Sequence, residues 1–174
     1  MGANDQGANA TQNRWIVIPR TLCFVTHEQH LLLLKRSPNT RIFPNKYNGL
    51  GGHIERNEDA RSGAIREIRE ESGLEVKNVR LRGVIHIDAS PSYTSGIFLV
   101  VFTAEALSRE FTNSSEGTLE WVDLAQVYEK DLVEDLPILL PRLFGDKASQ
   151  TPFAAHASYD AGDRLILRFG DETE

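Results

Sequence analysis

The stretch from Gly52 to Leu74 constrains this chain more than any other. Residues 52–58 (Gly-His-Ile-Glu-Arg-Asn-Glu) read as a loop, and the residues after them as a helix that Gly73 ends, as a glycine just past a helix should. Positions three and four apart share a helix face, so Glu67, Glu70 and Glu71 are expected to point the same way, within an arc about 100° wide. Ile65 and Ile68 lie to one side of that arc and can face a core. Ala60, Gly63 and Ala64 continue the stripe with side chains small enough for a loop or ligand to come close. Like charges at this spacing cost roughly 0.2–0.5 kcal/mol per pair on an exposed helix, so something must compensate. Arg66 and Arg69 neutralise part of the charge. A solvated face would take up the rest, and so would a hard cation, which combines carboxylates with waters and substrate phosphates.

The acids also follow a longer pattern. Gly52, Glu58, Arg66, Glu67, Ile68, Glu70, Glu71, Gly73 and Leu74 fill every fixed position of G-x5-E-x7-R-E-U-x-E-E-x-G-U, where U is a bulky aliphatic. At average residue usage such a match arises by chance about once in a billion placements. On these residues the chain resembles the Nudix hydrolases. The resemblance implies an α/β (α+β) fold with a mixed sheet sandwiched between helices, and hydrolysis of a nucleoside diphosphate linked to another group. It implies Mg²⁺ as cofactor, with Mn²⁺ able to substitute. Glu67, Glu70 and Glu71 would bind the metal, with Glu67 acting as ligand or base. Arg66 would orient these glutamates by ion pairing, and Glu58 would be structural. The Gly51–Gly52 backbone is suited to offer a carbonyl to the metal, because glycine permits close approach. The family often adds a glutamate from a distant loop. Glu116, five residues before Trp121, is the candidate, as base or further ligand; Glu110 and Glu120 are the alternatives.

The preceding segment, Tyr47-Asn-Gly-Leu-Gly-Gly52, is similar to the W-N-G-F-G-G segment of the MutT-like 8-oxo-dGTP diphosphatases. There the asparagine reads the purine, which carries over to Asn48; an amide can donate and accept along a purine edge. The spacing from Trp121 to Asp135 is similar to that by which the same group places a base-binding acid, so Asp135 is the second substrate-binding candidate. Two departures stand out. Leu136 follows Asp135, so only one acid of that group's adjacent pair is matched, and His53 stands where the group has a lysine. The expected reaction is therefore hydrolysis of a nucleoside triphosphate, with an oxidised purine such as 8-oxo-dGTP as one candidate, to the monophosphate and pyrophosphate. The alternatives are an ADP-ribose or dinucleoside polyphosphate pyrophosphatase, kept open by Pro91 and Tyr93, and a module that only binds nucleotides. The last would typically have lost glutamates that this chain keeps.

The 174 residues predict one domain over 14–170, between a disordered N-terminal tail over 1–13 and a C-terminal tail over 171–174. A net charge of −6 argues against a nucleic-acid surface, which needs basic patches, but not against free nucleotides bridged by metal. The single cysteine, Cys23, cannot form an internal disulfide and reads as a small buried hydrophobe. No apolar run reaches the ~20 residues of a membrane span and no signal pattern is present, so a cytoplasmic monomer or homodimer is expected.

Strands are predicted over Trp15–Thr26, interrupted by Pro19, and over His30–Lys35. Val76–Asp88 reads as one long strand or a pair, Gly96–Ala106 as the strongest buried strand, and Thr118–Val122 as a short one. Asp123 would cap a helix over Leu124–Lys130. Leu136–Phe144 reads as a second helix, kinked by proline. Phe153–Tyr159 and Arg164–Phe169 flank a hairpin turn. His86 and Asp88 share one strand face, where a metal role competes with plain half-exposure.

Overall fold

The computed structural model describes Gly7 and residues 14–89, 95–146 and 148–172. Most of the expected tail over 1–13, the loop carrying Pro91 and Tyr93, and the end of the expected tail over 171–174 lie outside these residues. Eight strands form one mixed sheet: β1 (Ile16–His27), β2 (His30–Arg36), β3 (Tyr47–Asn48), β4 (Val76–Ile87), β5 (Ser95–Ala106), β6 (Gly117–Asp123), β7 (Phe153–Tyr159) and β8 (Leu165–Phe169). Their order is β3-β2-β1-β5-β4-β7-β8, with β6 paired to β2. Helix α1 (Ala60–Ser72) covers one face and helix α2 (Leu136–Phe144) the other.

Strand alternation sorts the core into two layers. Cys23, Val25, Leu32, Leu34, Val100 and Phe102 turn toward Ala64 and Ile68 of α1. Leu22, Phe24, Leu33, Leu99 and Val101 turn toward Leu136, Leu139, Leu140 and Leu143 of α2. Cys23 is fully buried, and burial pushes its thiol up to about 12, so it packs as a hydrophobe. Ile68 is buried as expected, Ile65 half-buried.

One departure from regular pairing creates the site. β1 and β2 pair only from Val25↔Leu32 to His27↔His30. Beyond that the two strands splay apart. Residues 47–52 fill the gap: β3 pairs with Leu34 and Lys35 of β2. On the other side Cys23 exchanges backbone bonds of 2.7 and 3.0 Å with Leu50, and Thr21 N donates to Gly52 O at 2.9 Å. The glycine-rich approach to α1 is thus an inserted ladder in the middle of the sheet.

Two expectations change, and one alternative is decided. Pro19 does not interrupt β1, which pairs continuously with β5. Thr21 and Cys23 donate toward the 50–52 side, so the N–H that Pro19 lacks would point there too, near the end of the inserted ladder; its carbonyl still accepts from Ile54 N at 3.1 Å. The helix expected over 124–130 shrinks to a turn and one 3₁₀ turn, Val127–Glu129. The segment is too short to propagate, and Asp123 caps only as far as Ala125 N (2.8 Å). Val76–Ile87 is the single long strand of the two expected alternatives, with register shifts along it.

Candidate active site

Asp59 starts α1 by accepting from Arg61 N and Ser62 N at 2.9 and 3.0 Å, and Gly73 ends it at φ 70°. The three glutamates do not share one environment, contrary to the expected common face. Glu71, at the edge of the stripe nearest the sheet, is buried. Glu67 is half-buried, and the side chain of Glu70 is 59 % exposed. An arc of about 100° on a helix that lies on a sheet runs from core to solvent.

The glycines before the helix have specific steric reasons. A Cβ on Gly51, whose φ is 133°, would meet Thr21 O at 2.4 Å, and one on Gly52 would meet the Glu67 carboxylate at 2.6 Å. Glu67 therefore packs directly on Gly52, while Gly51 N donates to Glu71 Oε2 at 2.9 Å. The Gly52 carbonyl already accepts from Thr21 N, which leaves one lone pair.

Arg66 is the hub. Its Nε and Nη2 bind Glu58 in a fork at 3.1 and 2.7 Å, Nη1 donates to Glu67 at 2.9 Å and Glu70 at 3.0 Å, and Nη2 also reaches His53 O at 3.0 Å. Paired first with Glu58, then Glu67 and Glu70, the guanidinium is held firmly cationic. Glu58 also accepts from Glu55 N, and a Cβ on Gly63 would strike its carboxylate at 2.9 Å, so the loop rests on α1.

Glu116, in the turn before β6, comes from far along the chain to lie close enough to Glu71 for its charge to act on that carboxyl. Burial, and then the charges of Glu116 and Glu67, push the Glu71 carboxyl up to about 8 against the pull of the Gly51 N–H. Glu120 lies elsewhere, bonded to Tyr47 and Lys130. His86 lies between Trp15, tilted against it, and His156, edge-on to it, at ring-centroid distances of 4.3 and 5.7 Å.

A cleft of about 300 Å³ opens beside the glycines on the α2 face. Its walls are Ile85, Ile87, Ile97, Leu99, Ala157 and Leu167; its polar groups are Arg20, Arg36, Asn48, Glu134, Asp135 and Tyr159. Asn48 Oδ1 accepts from Gly49 N at 2.8 Å, which leaves the amide NH₂ for a ligand. Among the described residues Asp135 Oδ1 has no hydrogen-bond partner and is sealed from solvent, and burial, with the Glu134 charge, pushes this carboxyl up to about 6. The structure thus brings Asn48 and Asp135 into one cleft. Sequence reasoning passed over Glu134. An adjacent acid pair does exist here, with its second member before Asp135 rather than after it, and the signal lay in the dipeptide itself. Arg20, Arg36 and Tyr159 carried no local signal.

The NUDIX domain family model matches residues 18–143. The chain belongs to the Nudix hydrolases. It is 28% identical over 148 residues to the oxidized purine nucleoside triphosphate hydrolase of Mus musculus, covering 84% of this chain and 89% of that one. It is 32% identical over 105 residues to the uncharacterized Nudix hydrolase YvcI of Bacillus subtilis, covering 59% and 63%. Among solved structures, a MutT protein from Bacillus halodurans superposes with a TM-score of 0.75 at 23% identity, covering 89% of this chain and 99% of that one. The Nudix domain of Shewanella oneidensis NrtR, solved with ADP ribose, gives 0.65 at 17% identity over 82% and 96%. Both are likenesses of fold.

Nudix hydrolases generally need a divalent cation, and the donor set here fits one. Glu71, Glu67 and Glu116 are hard oxygen donors, and the repulsion among them that raises the Glu71 carboxyl is of the kind a cation relieves. Among the described residues no three such side chains converge on a point. Arg66 draws Glu67 and Glu70 aside, and Gly51 N holds Glu71.

Proposed function

We propose that this Nudix hydrolase cleaves a purine nucleoside triphosphate, with oxidised purines such as 8-oxo-dGTP among its substrates, to the monophosphate and pyrophosphate with Mg²⁺. One observation carries the reading: Asn48, Glu134 and Asp135 open into a cleft floored by Gly49–Gly51, whose next contact is Glu71. A base seated between the amide and the two carboxyls would direct its phosphates along the glycine ladder toward the glutamates. The name of the mouse relative supports the same substrate class.

In this reading Glu67, Glu70, Glu71 and Glu116 hold Mg²⁺, for which Mn²⁺ can substitute, with a glycine carbonyl at Gly52 completing the protein donors. When bound, the ion supplies neutralisation of phosphate charge and activation of water. Arg66 orients Glu67 and Glu70. Glu116, which Arg66 does not hold, serves either as the further ligand or as the general base toward water. Asn48 donates to the base, and Asp135, whose carboxyl burial raises to about 6, accepts along the purine edge when ionised and donates when protonated. Arg20 and Arg36, at the same cleft, are suited to the phosphates.

The test is a panel of 8-oxo-dGTP, dGTP, ATP, pyrimidine triphosphates, ADP-ribose and a dinucleoside polyphosphate with Mg²⁺, scored by kcat/KM. Purine triphosphates should lead. Weak triphosphate turnover beside strong ADP-ribose turnover overturns the substrate reading, and unchanged phosphate release by Glu70→Gln overturns the assignment of the site.

A further inference from the structure

β3 is only two residues long, and its ladder bonds are too few to hold Asn48 in place alone. The residue beside Asn48 is Tyr47, and it is tied on every side. Its N–H donates to Asp131 O at 2.8 Å and its carbonyl accepts from Val133 N at 3.0 Å, a parallel bridge to Leu132. These bonds join Asn48 to the segment that ends in Glu134 and Asp135. Tyr47 Oη donates to Glu120 Oε2 at 2.8 Å, and Lys130 Nζ donates to the other oxygen of the same carboxylate. The ammonium groups of Lys130 and Lys35 lie 5.3 and 5.7 Å from the Tyr47 ring centroid. Lys46 and Asp131 add an exposed pair at 2.8 Å. Glu120 stands opposite Leu33, on the α2 face, away from α1. Tyr47, Glu120 and Lys130 do not line the cleft, so they act on it through the backbone they hold.

We propose that Tyr47, Glu120 and Lys130 form a positioning clasp that sets the spacing between Asn48 and the Glu134–Asp135 pair, and with it the discrimination between bases. The inference rests on the reading that those three residues hold the base. Charge-assisted bonds to one carboxylate make the clasp stiffer than a neutral hydrogen bond would. A shift of the two chain segments relative to each other loosens the fit of the base without touching the glutamates that act on the phosphates.

Tyr47→Phe and Glu120→Gln test this. Each should raise KM for the preferred purine triphosphate about 3- to 10-fold, leave kcat within about twofold, and narrow the purine-to-pyrimidine ratio of kcat/KM by the same factor. The double variant should be no worse than the worse single one, because both break one network. Independently of substrate, the Val133 amide should exchange with solvent at least about tenfold faster, with the α1 amides unchanged. Folded variants that keep both the base ratio and the Val133 exchange rate overturn the clasp. A lower Tm with an unchanged ratio and unchanged Val133 exchange does so too, because that is a merely structural role. If the wild-type protein hydrolyses triphosphates without base preference, the base-binding reading fails instead; Val133 exchange then decides whether the clasp exists, and unchanged exchange overturns it.

Discussion

The two ends of the site are built by opposite means. At the proposed metal end Glu58, Arg66, Glu67, Glu70 and Glu71 come from one loop and one helix, and Glu116 arrives from afar. At the proposed base end Arg36, Asn48, Glu134, Asp135 and Tyr159 come from separate segments that meet because β1 and β2 splay apart. The first end is held by helical spacing and a guanidinium hub. The second is held by a short inserted strand and its hydrogen bonds to residues 131–133. Damage should therefore read differently: lost kcat at the first end, lost KM and base choice at the second.

The largest effect should come from the glutamates. Glu70→Gln and Glu71→Gln are each expected to lower kcat by roughly 10²-fold or more, measured at saturating Mg²⁺, with little change in base preference. A loss of base preference at constant kcat would break the division between the two ends. Next, Asp135→Asn should raise KM for the preferred purine triphosphate by roughly 10- to 100-fold, the cost of leaving a buried polar group mispaired, with kcat nearly kept. A fall in kcat instead would merge the ends.

The third prediction concerns pH. The Glu71 carboxyl is raised from its usual 4.5 to about 8, so the folded state holds its proton more tightly than the unfolded chain. That stabilisation is complete below the unfolded value and is lost as pH rises through about 8. In a chelator, Tm should fall between roughly pH 5 and pH 9. Saturating Mg²⁺ should offset the fall, because binding requires the ionised acid. Glu71→Gln should flatten the chelator profile; an unchanged slope in that variant would locate the titration elsewhere. The smallest effect belongs to Asp59→Ala, which removes the α1 cap: Tm should drop by a few degrees, with kcat and KM within about twofold. A large kinetic loss would mean that the cap, not Arg66, sets the glutamates.

Much of the metal end was legible from spacing. Gly73 as terminator follows from the local pattern, while Arg66 as the orienting ion-pair partner and Glu58 as a structural residue followed from the resemblance; Arg66 and Glu58 do pair in the structure. What spacing could not convey was the gradient from buried Glu71 to exposed Glu70, since a helix face is defined only once it lies against a sheet. At the base end, Asn48 and Asp135 were legible by resemblance, but Glu134 was not, and the apolar walls from β4, β5, β7 and β8 gave no sign of lining a cleft. The helix expected over 124–130 failed for a related reason. Local propensity was present, but tertiary pairing of 131–133 with Tyr47 took up the chain before a second turn could form.

By itself, then, the sequence determined a carboxylate helix preceded by glycines, two sheet layers' worth of alternating apolar residues, and the class of chemistry those acids can do. Helical and strand periodicities are local, and like charges at three- and four-residue spacing demand a partner wherever the helix lies. The tertiary structure alone decided that Tyr47–Gly52 is inserted between β1 and β2, that Glu116 reaches Glu71, and that Glu134 and Asp135 face Asn48 across one cleft. Those contacts close long loops, and which loops close depends on the packing of the whole sheet.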